Sequence, residues 1–186
     1  MSAEYDKLIY DTAISEGFTP VAAKLIVAQA RFESADYTSN VFRNNYNTSG
    51  MKYIGQPLAT RGTLAPMNER SATCRAGGQC VNGDHYAKFR SVADSAKDKI
   101  SRNYNITMKG VTPQQLKNVK TPEEFARLLK QRGYYTDKES TYANGLRAKL
   151  MRVQIVEFVS KNKGMLFVGL GIVAISAAYY IYKKIQ

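Results

Sequence analysis

Gln29-Ala-Arg-Phe-Glu-Ser34 closes an apolar run that begins at Thr19-Pro20 and hands over to a polar, aromatic stretch from Tyr37 to Tyr53. After Pro20, the residues Val21, Leu25, Ala28, Gln29 and Phe32 recur at helical spacing. Thr19 can cap the free N–H groups at the start of that helix, and Pro20 fills its first turn without wasting a donor. Glu33 therefore falls at or near the C-terminal end. A carboxylic acid where a helix gives way to a polar, aromatic loop is well placed to act as a general acid, and Glu33 is the first candidate for chemistry.

Working outward, the pattern stays mostly helical. Leu8, Ile9, Ala13 and Ile14 share one face of a first helix that Gly17 ends. Thr112-Pro113 and Thr121-Pro122 are two further helix starts, the latter with Glu124 three residues on as in a capping box. Between Leu58 and Arg90 the texture changes to Gly, Thr, Asn and short apolar pieces, which predicts a small β lobe, a twisted hairpin around Gly77-Gly78. Cys74-Arg-Ala-Gly-Gly-Gln-Cys80 reads as a turn flanked by two cysteines, either joined across that hairpin or left as free thiols. Helical patterning resumes at Val92, Ala96, Ile100 and Tyr104, runs from Pro122 to Gln131, and returns from Tyr142. The expected class is α+β, mainly helical, with the β lobe inserted after the second helix.

Composition narrows the chemistry. With 186 residues, 44% of them hydrophobic, the chain can build one ordinary core plus an appendage. Four of its 27 basic residues lie after position 160, leaving residues 1–160 with 23 basic and 15 acidic side chains. That excess favours polyanionic surroundings such as nucleic acid, anionic lipid or cell wall. The basic residues are dispersed and no nucleic-acid-binding motif is present, so no specific nucleic-acid partner is expected. One His and two Cys make a metal centre improbable, since Cys74, Cys80 and His85 have no usual zinc spacing. A Ser-His-Asp triad could use only His85, and no nucleophile motif accompanies it.

Four segments in order resemble the peptidoglycan glucosaminidases of glycoside hydrolase family seventy-three, the flagellar wall hydrolases and autolysins of the lysozyme-like superfamily. Gln29-Ala-Arg-Phe-Glu-Ser34 resembles the family's A-Q-A-x-x-E-S, whose glutamate is the catalytic acid. Asn45-Tyr-Asn-Thr-Ser-Gly-Met-Lys52 resembles N-x-N-L-F-G-I-K, and Phe89-Arg-Ser-Val-Ala-Asp-Ser95 resembles F-R-x-Y-x-S-x-x-x-S. Gly133-Tyr-Tyr-Thr-Asp137 followed by Tyr142-Ala-Asn-Gly-Leu146 resembles G-Y-A-T-D and Y-A-x-K-L. The resemblance implies a lysozyme-like domain over residues 1–150, peptidoglycan as partner, no cofactor and no metal. It implies Glu33 as general acid, a second carboxylate from the β lobe with Glu69 first and Asp84 second, and Tyr134 lining the cleft. A partly apolar pocket is expected to keep the acid protonated.

The chain also departs from that pattern. Where the family continues G-W-G, this chain has Ala35-Asp36-Tyr37, and Ser49 replaces the usual aromatic before Gly50. The aromatic floor is then expected from Tyr37, Tyr46 or Tyr53, with Tyr135 as a further sugar contact and Asn47 shaping the cleft. Muramidases, lytic transglycosylases and non-catalytic wall binders are the alternatives.

Met165 to Tyr182 is an uncharged run of 18 residues between lysine pairs. At about 1.5 Å per helical residue it nearly spans a hydrocarbon core of roughly 30 Å. The expectation is a juxtamembrane segment at 151–164, one membrane-spanning helix at 165–182 and a basic tail at 183–186. Gly169, Gly171, Ala174 and Ala178 offer small faces for self-association. The polar start, Met1-Ser-Ala-Glu-Tyr-Asp-Lys7, does not read as a secretory signal. An anchored wall enzyme of this kind suits the virion membrane of a bacteriophage, among virion proteins, or otherwise a bacterial inner membrane.

Overall fold

The computed structural model describes residues 2–161. Its helices are α1 (Ser2–Ser15), α2 (Pro20–Glu33), α3 (Asn40–Asn45), α4 (Ala72–Arg75), α5 (Val92–Lys99), α6 (Pro113–Lys117), α7 (Pro122–Gln131) and α8 (Glu139–Lys161). The strands β1 (Ala59–Leu64) and β2 (His85–Phe89) lie between α3 and α5. The architecture is α+β and mainly helical, with a two-stranded lobe.

All three Thr-Pro pairs start helices. Thr19, Thr112 and Thr121 accept from the N–H of Ala22, Gln115 and Glu124 at 3.3, 3.4 and 3.1 Å. The capping box, however, sits at Thr112, where Gln115 accepts from the Thr112 N–H at 2.8 Å. Glu124 instead reaches one residue further back, to the Lys120 N–H at 2.9 Å. In α1 the buried face carries Asp6, Ile9 and Ala13, while Leu8 and Ile14 are exposed, so the apolar pair at each turn splits between core and solvent.

α2 runs through the middle of the core, buried from Ala22 to Arg31 except at Lys24, and packs against α1, α6 and α8. Such a run has no wet stripe because partners cover it on several sides. α8 lies on α2 and α7, and its approach to α2 depends on Gly145: a Cβ there would sit 2.5 Å from the Phe32 ring. The boundary expected at residue 150 falls inside α8, where Arg152 and the buried Val153 still pack on the domain.

β1 and β2 pair antiparallel, with Ala59 opposite Phe89, Arg61 opposite Ala87 and an irregularity before Leu64 opposite His85. No tight turn around Gly77-Gly78 joins them. The connection holds a 3-10 turn at Met67–Glu69, α4, and a second 3-10 turn at Asn82–Asp84. Cys74 and Cys80 form a disulfide that closes the end of α4 back onto this connection rather than bridging the strands. Among the described residues no helix is long and apolar enough to cross a membrane. The span expected at 165–182 and the tail at 183–186 lie outside the described residues.

Candidate active site

Glu33 is the last residue of α2, and beside it opens a cavity of about 440 Å³. Phe32 and Glu33 form one wall, Ser49 and Met51 of the loop after α3 another. Asn103 comes from a π-helical turn, Ile100–Tyr104, that continues α5. Tyr134, Tyr135 and Asp137 follow α7, and Tyr142 projects from α8. Gly133, at φ +78°, ends α7 in a left-handed turn in which the Tyr134 N–H bonds to the Leu129 carbonyl at 3.0 Å, delivering both tyrosines to the cavity.

A chain of hydrogen bonds fixes the carboxylate. The Tyr142 hydroxyl donates to Glu33 Oε1 at 2.7 Å and accepts from Gln29 Nε2 at 2.9 Å. Gln29 Oε1 in turn accepts from the Tyr104 hydroxyl. Gln29 and Glu33, four residues apart, share one face of α2, so a single helix places both the carboxylate and the amide that orients its partner. The Tyr142 ring stacks on Tyr135 at 4.0 Å and meets the Phe32 edge at 5.3 Å. Burial, then the neighbouring Tyr134 and Glu33, push the Tyr142 phenol well above its ordinary range, so it stays a neutral donor. Burial also raises Tyr134, whose oxygen accepts from Lys99 Nζ at 2.9 Å. Burial draws the Lys99 ammonium down to about 8 against the opposing pull of Glu33.

The glucosaminidase family profile, described as mannosyl-glycoprotein endo-β-N-acetylglucosaminidase, matches residues 13–154. The chain belongs to this glucosaminidase family. It is a glycoside hydrolase. Its fold is similar to the catalytic domain of the autolysin Auto from Listeria monocytogenes, with a TM-score of 0.53, 24% identity, and 82% of each chain covered. It is also similar to a chain of a type VI secretion system effector–immunity complex from Pseudomonas protegens, with a TM-score of 0.51, 17% identity, and 81% of this chain and 91% of that one covered. No curated protein sequence matches the chain.

Several residues expected at the cleft of this glucosaminidase lie elsewhere. Tyr37 is 6% exposed, packs against Tyr5 and Phe42, and donates to Asp6 at 2.7 Å. It is a core residue because Ala35, Asp36 and Tyr37 all take positive φ, a left-handed turn that swings its ring inward. Each such residue costs roughly 1–2 kcal/mol. Asp36 helps hold the turn through Arg31 at 3.3 Å, Lys149 at 2.6 Å and Arg152 at 2.9 Å. Tyr46 packs its ring edge on Phe42, and the Tyr53 backbone bonds to His85 in the β lobe; neither lines the cavity. Phe32, Tyr135 and Tyr142 supply the aromatic wall instead.

Asn47 is a scaffold residue. Its amide donates to the carbonyls of Met51 and Ala87 at 2.8 and 3.0 Å and accepts from the Ser49 and Met51 N–H groups, leaving little capacity for a sugar. It shapes the cavity by fixing Ser49 and Met51. Asp84 is likewise consumed: it accepts from the Ser71 N–H and hydroxyl and from the Val81 N–H, and these bonds, Ser71's first, hold it below the usual carboxylate range. It lies near Cys74 and Cys80, but their sulfurs are joined and offer no thiolate. Glu69 does not line the cavity; it accepts from Lys52 at 2.6 Å and Tyr86 at 3.1 Å, and Lys52 holds it low. Among the described residues, the acidic residues lining the cavity are Glu33 and Asp137.

Gln29, Lys99, Asn103, Tyr104, Asp137 and Tyr142 join the site only once the chain is folded. The signal for Gln29 was present, a polar amide on the apolar stripe four residues before the candidate acid. Tyr142→Phe tests this arrangement. It removes the donor to Glu33 and the acceptor of Gln29, so kcat is expected to fall about tenfold and stability by about 1–2 kcal/mol, read by initial rates and thermal melting.

Proposed function

We propose that this glycoside hydrolase is a peptidoglycan endo-β-N-acetylglucosaminidase that cuts β-1,4 bonds of the glycan strand with Glu33 as general acid. The observation that carries the reading is the Glu33 carboxyl at the cavity with Oε1 held by Tyr142, which leaves Oε2 to carry the proton toward the leaving oxygen. Family membership and the fold shared with the catalytic domain of an autolysin support the substrate class.

Cleavage runs through an oxocarbenium-like centre that needs a proton on the leaving oxygen and negative charge or a water-activating base near C1. Glu33 supplies the first. Asp137, the other carboxylate on the cavity, supplies the second, while Glu69 serves the β lobe as the partner of Lys52. Asp137→Asn is therefore expected to lower kcat by about 10²-fold and Glu69→Gln by less than about tenfold. The reverse order in steady-state assays would move the second carboxylate to the β lobe. Phe32, Tyr135 and Tyr142 offer flat apolar surface to the sugar faces, and Ser49, Asn103 and Tyr134 offer polar atoms to its hydroxyl and acetamido groups.

Mass spectrometry of fragments released from purified peptidoglycan tests the bond assignment. Fragments ending in reducing N-acetylglucosamine are expected. Anhydro-N-acetylmuramic ends would make the protein a lytic transglycosylase, and reducing N-acetylmuramic ends a muramidase.

Residues 165–182 serve in this reading as a membrane anchor that brings Glu33 to the wall from a lipid surface, in a phage virion membrane or a bacterial inner membrane. The uncharged run between lysines supports it. Extraction of the full chain into detergent but not high salt or carbonate is the expected result, and its recovery in purified phage particles separates the two membranes.

A further inference from the structure

Lys99 ends α5, yet it is only 3% exposed, and among the described residues no carboxylate forms a salt bridge with it. Its Nζ donates to the Tyr134 hydroxyl at 2.9 Å and lies 4.9 Å from the Tyr134 ring centroid and 5.9 Å from that of Tyr104, both within cation–π range. Glu33 is the charge that acts on it across this gap. An ammonium buried without a carboxylate is costly, and a nearby apolar side chain could fill the same space. The fold nonetheless spends this position on a cation behind the acid of the cavity.

The direction of the hydrogen bond gives that cation a task. An ammonium can only donate, so the Tyr134 oxygen accepts from it, and the phenol's own proton must point elsewhere. Tyr134 lines the cavity with Glu33, and among the described residues no acceptor claims its proton, so the cavity is open to it. Tyr142 differs, since its proton is already committed to Glu33. A phenol that accepts from a cation is also a stronger donor, because hydrogen bonds in a chain polarise one another.

We infer that Lys99 is a positioning residue for glycan cleavage: it fixes the Tyr134 hydroxyl so that the phenol donates to the sugar oxygen bound beside Glu33. The inference rests on the glucosaminidase reading above. Because the donor is aimed in advance, its contribution grows as charge shifts in the transition state rather than on substrate binding.

A double-mutant cycle with Tyr134→Phe tests it on soluble glycan fragments, using Lys99→Met and, in parallel, Lys99→Gln. Lys99→Met replaces the ammonium with a chain of similar length and is expected to melt no lower than the wild type. Its kcat is expected to fall about 10- to 100-fold with KM within about threefold. In the Tyr134→Phe background the same substitution is expected to cost almost nothing further, since the group it aims is gone. Lys99→Gln keeps a donor for Tyr134 without the charge and is expected to show a smaller loss with the same coupling. Whichever variant folds, full additivity with Tyr134→Phe, or a loss confined to KM, overturns the inference. So does an unchanged kcat in Lys99→Met. A wild type inert on every glycan overturns the functional reading and this inference together; an active wild type indifferent to Lys99 overturns this inference alone.

Discussion

Glu33→Gln is expected to lower kcat on peptidoglycan fragments about 10³-fold, roughly 4 kcal/mol of transition-state stabilisation, with KM within a few-fold and the melting temperature unchanged. The substitution keeps side-chain size, and the amide oxygen can still accept from Tyr142, so the chain through Gln29 and Tyr104 survives. What disappears is a transferable proton. The leaving sugar oxygen must then depart without one, and only the transition state feels that loss. A KM that rises while kcat holds would make Glu33 a binding residue. The opposite pattern, with kcat falling alone, is what a general acid produces.

Arg31→Met is expected to destabilise the domain by about 3–5 kcal/mol, because it strands the buried Asp6 without its cation. Arg31 is 5% exposed and grips Asp6 through Nε at 2.9 and 3.1 Å and through a second guanidinium nitrogen. The same guanidinium reaches Asp36 at 3.3 Å. Asp36 keeps Lys149 and Arg152 after the substitution, but among the described residues Asp6, 8% exposed, retains only the Tyr37 hydroxyl. At roughly 2–4 °C per kcal/mol for a domain of this size, the melting temperature should drop by about 10 °C. The exposed pair Lys7–Asp11 is the internal control, and Lys7→Ala should change stability by less than about 0.5 kcal/mol. A similar effect from both substitutions would mean that burial does not set the value of these pairs.

Those two residues, 31 and 33, also show where sequence reasoning succeeds and where it stops. Thr19-Pro20 starts α2 and the spacing after it ends at Glu33, because capping chemistry and helical period are local properties. The same logic found the starts at Thr112 and Thr121. The aromatic wall is not a local choice: Tyr142 meets Glu33 across 109 positions, whereas Tyr37, four residues from Glu33, is turned into the core. Nothing in Ala35-Asp36-Tyr37 announces three left-handed residues; ion pairs with α8 and α2 hold them there. Glu69 and Asp84 were plausible as lobe carboxylates, but Lys52 and the Ser71 and Val81 N–H groups claim them, a competition visible only once the lobe connection is folded. Lys99 was legible as part of a helix pattern and not as a buried cation, since burial on every side comes from packing.

The proposed cleavage of glycan strands by this glucosaminidase depends on proton transfer from Glu33. A time course of purified peptidoglycan with the wild type and with Glu33→Gln, both shown folded by thermal melting and read by liquid chromatography with mass spectrometry, tests it most directly. The wild type is expected to release fragments ending in reducing N-acetylglucosamine, and the variant to release them about 10³-fold more slowly. Release of the same fragments by Glu33→Gln at the wild-type rate would contradict it.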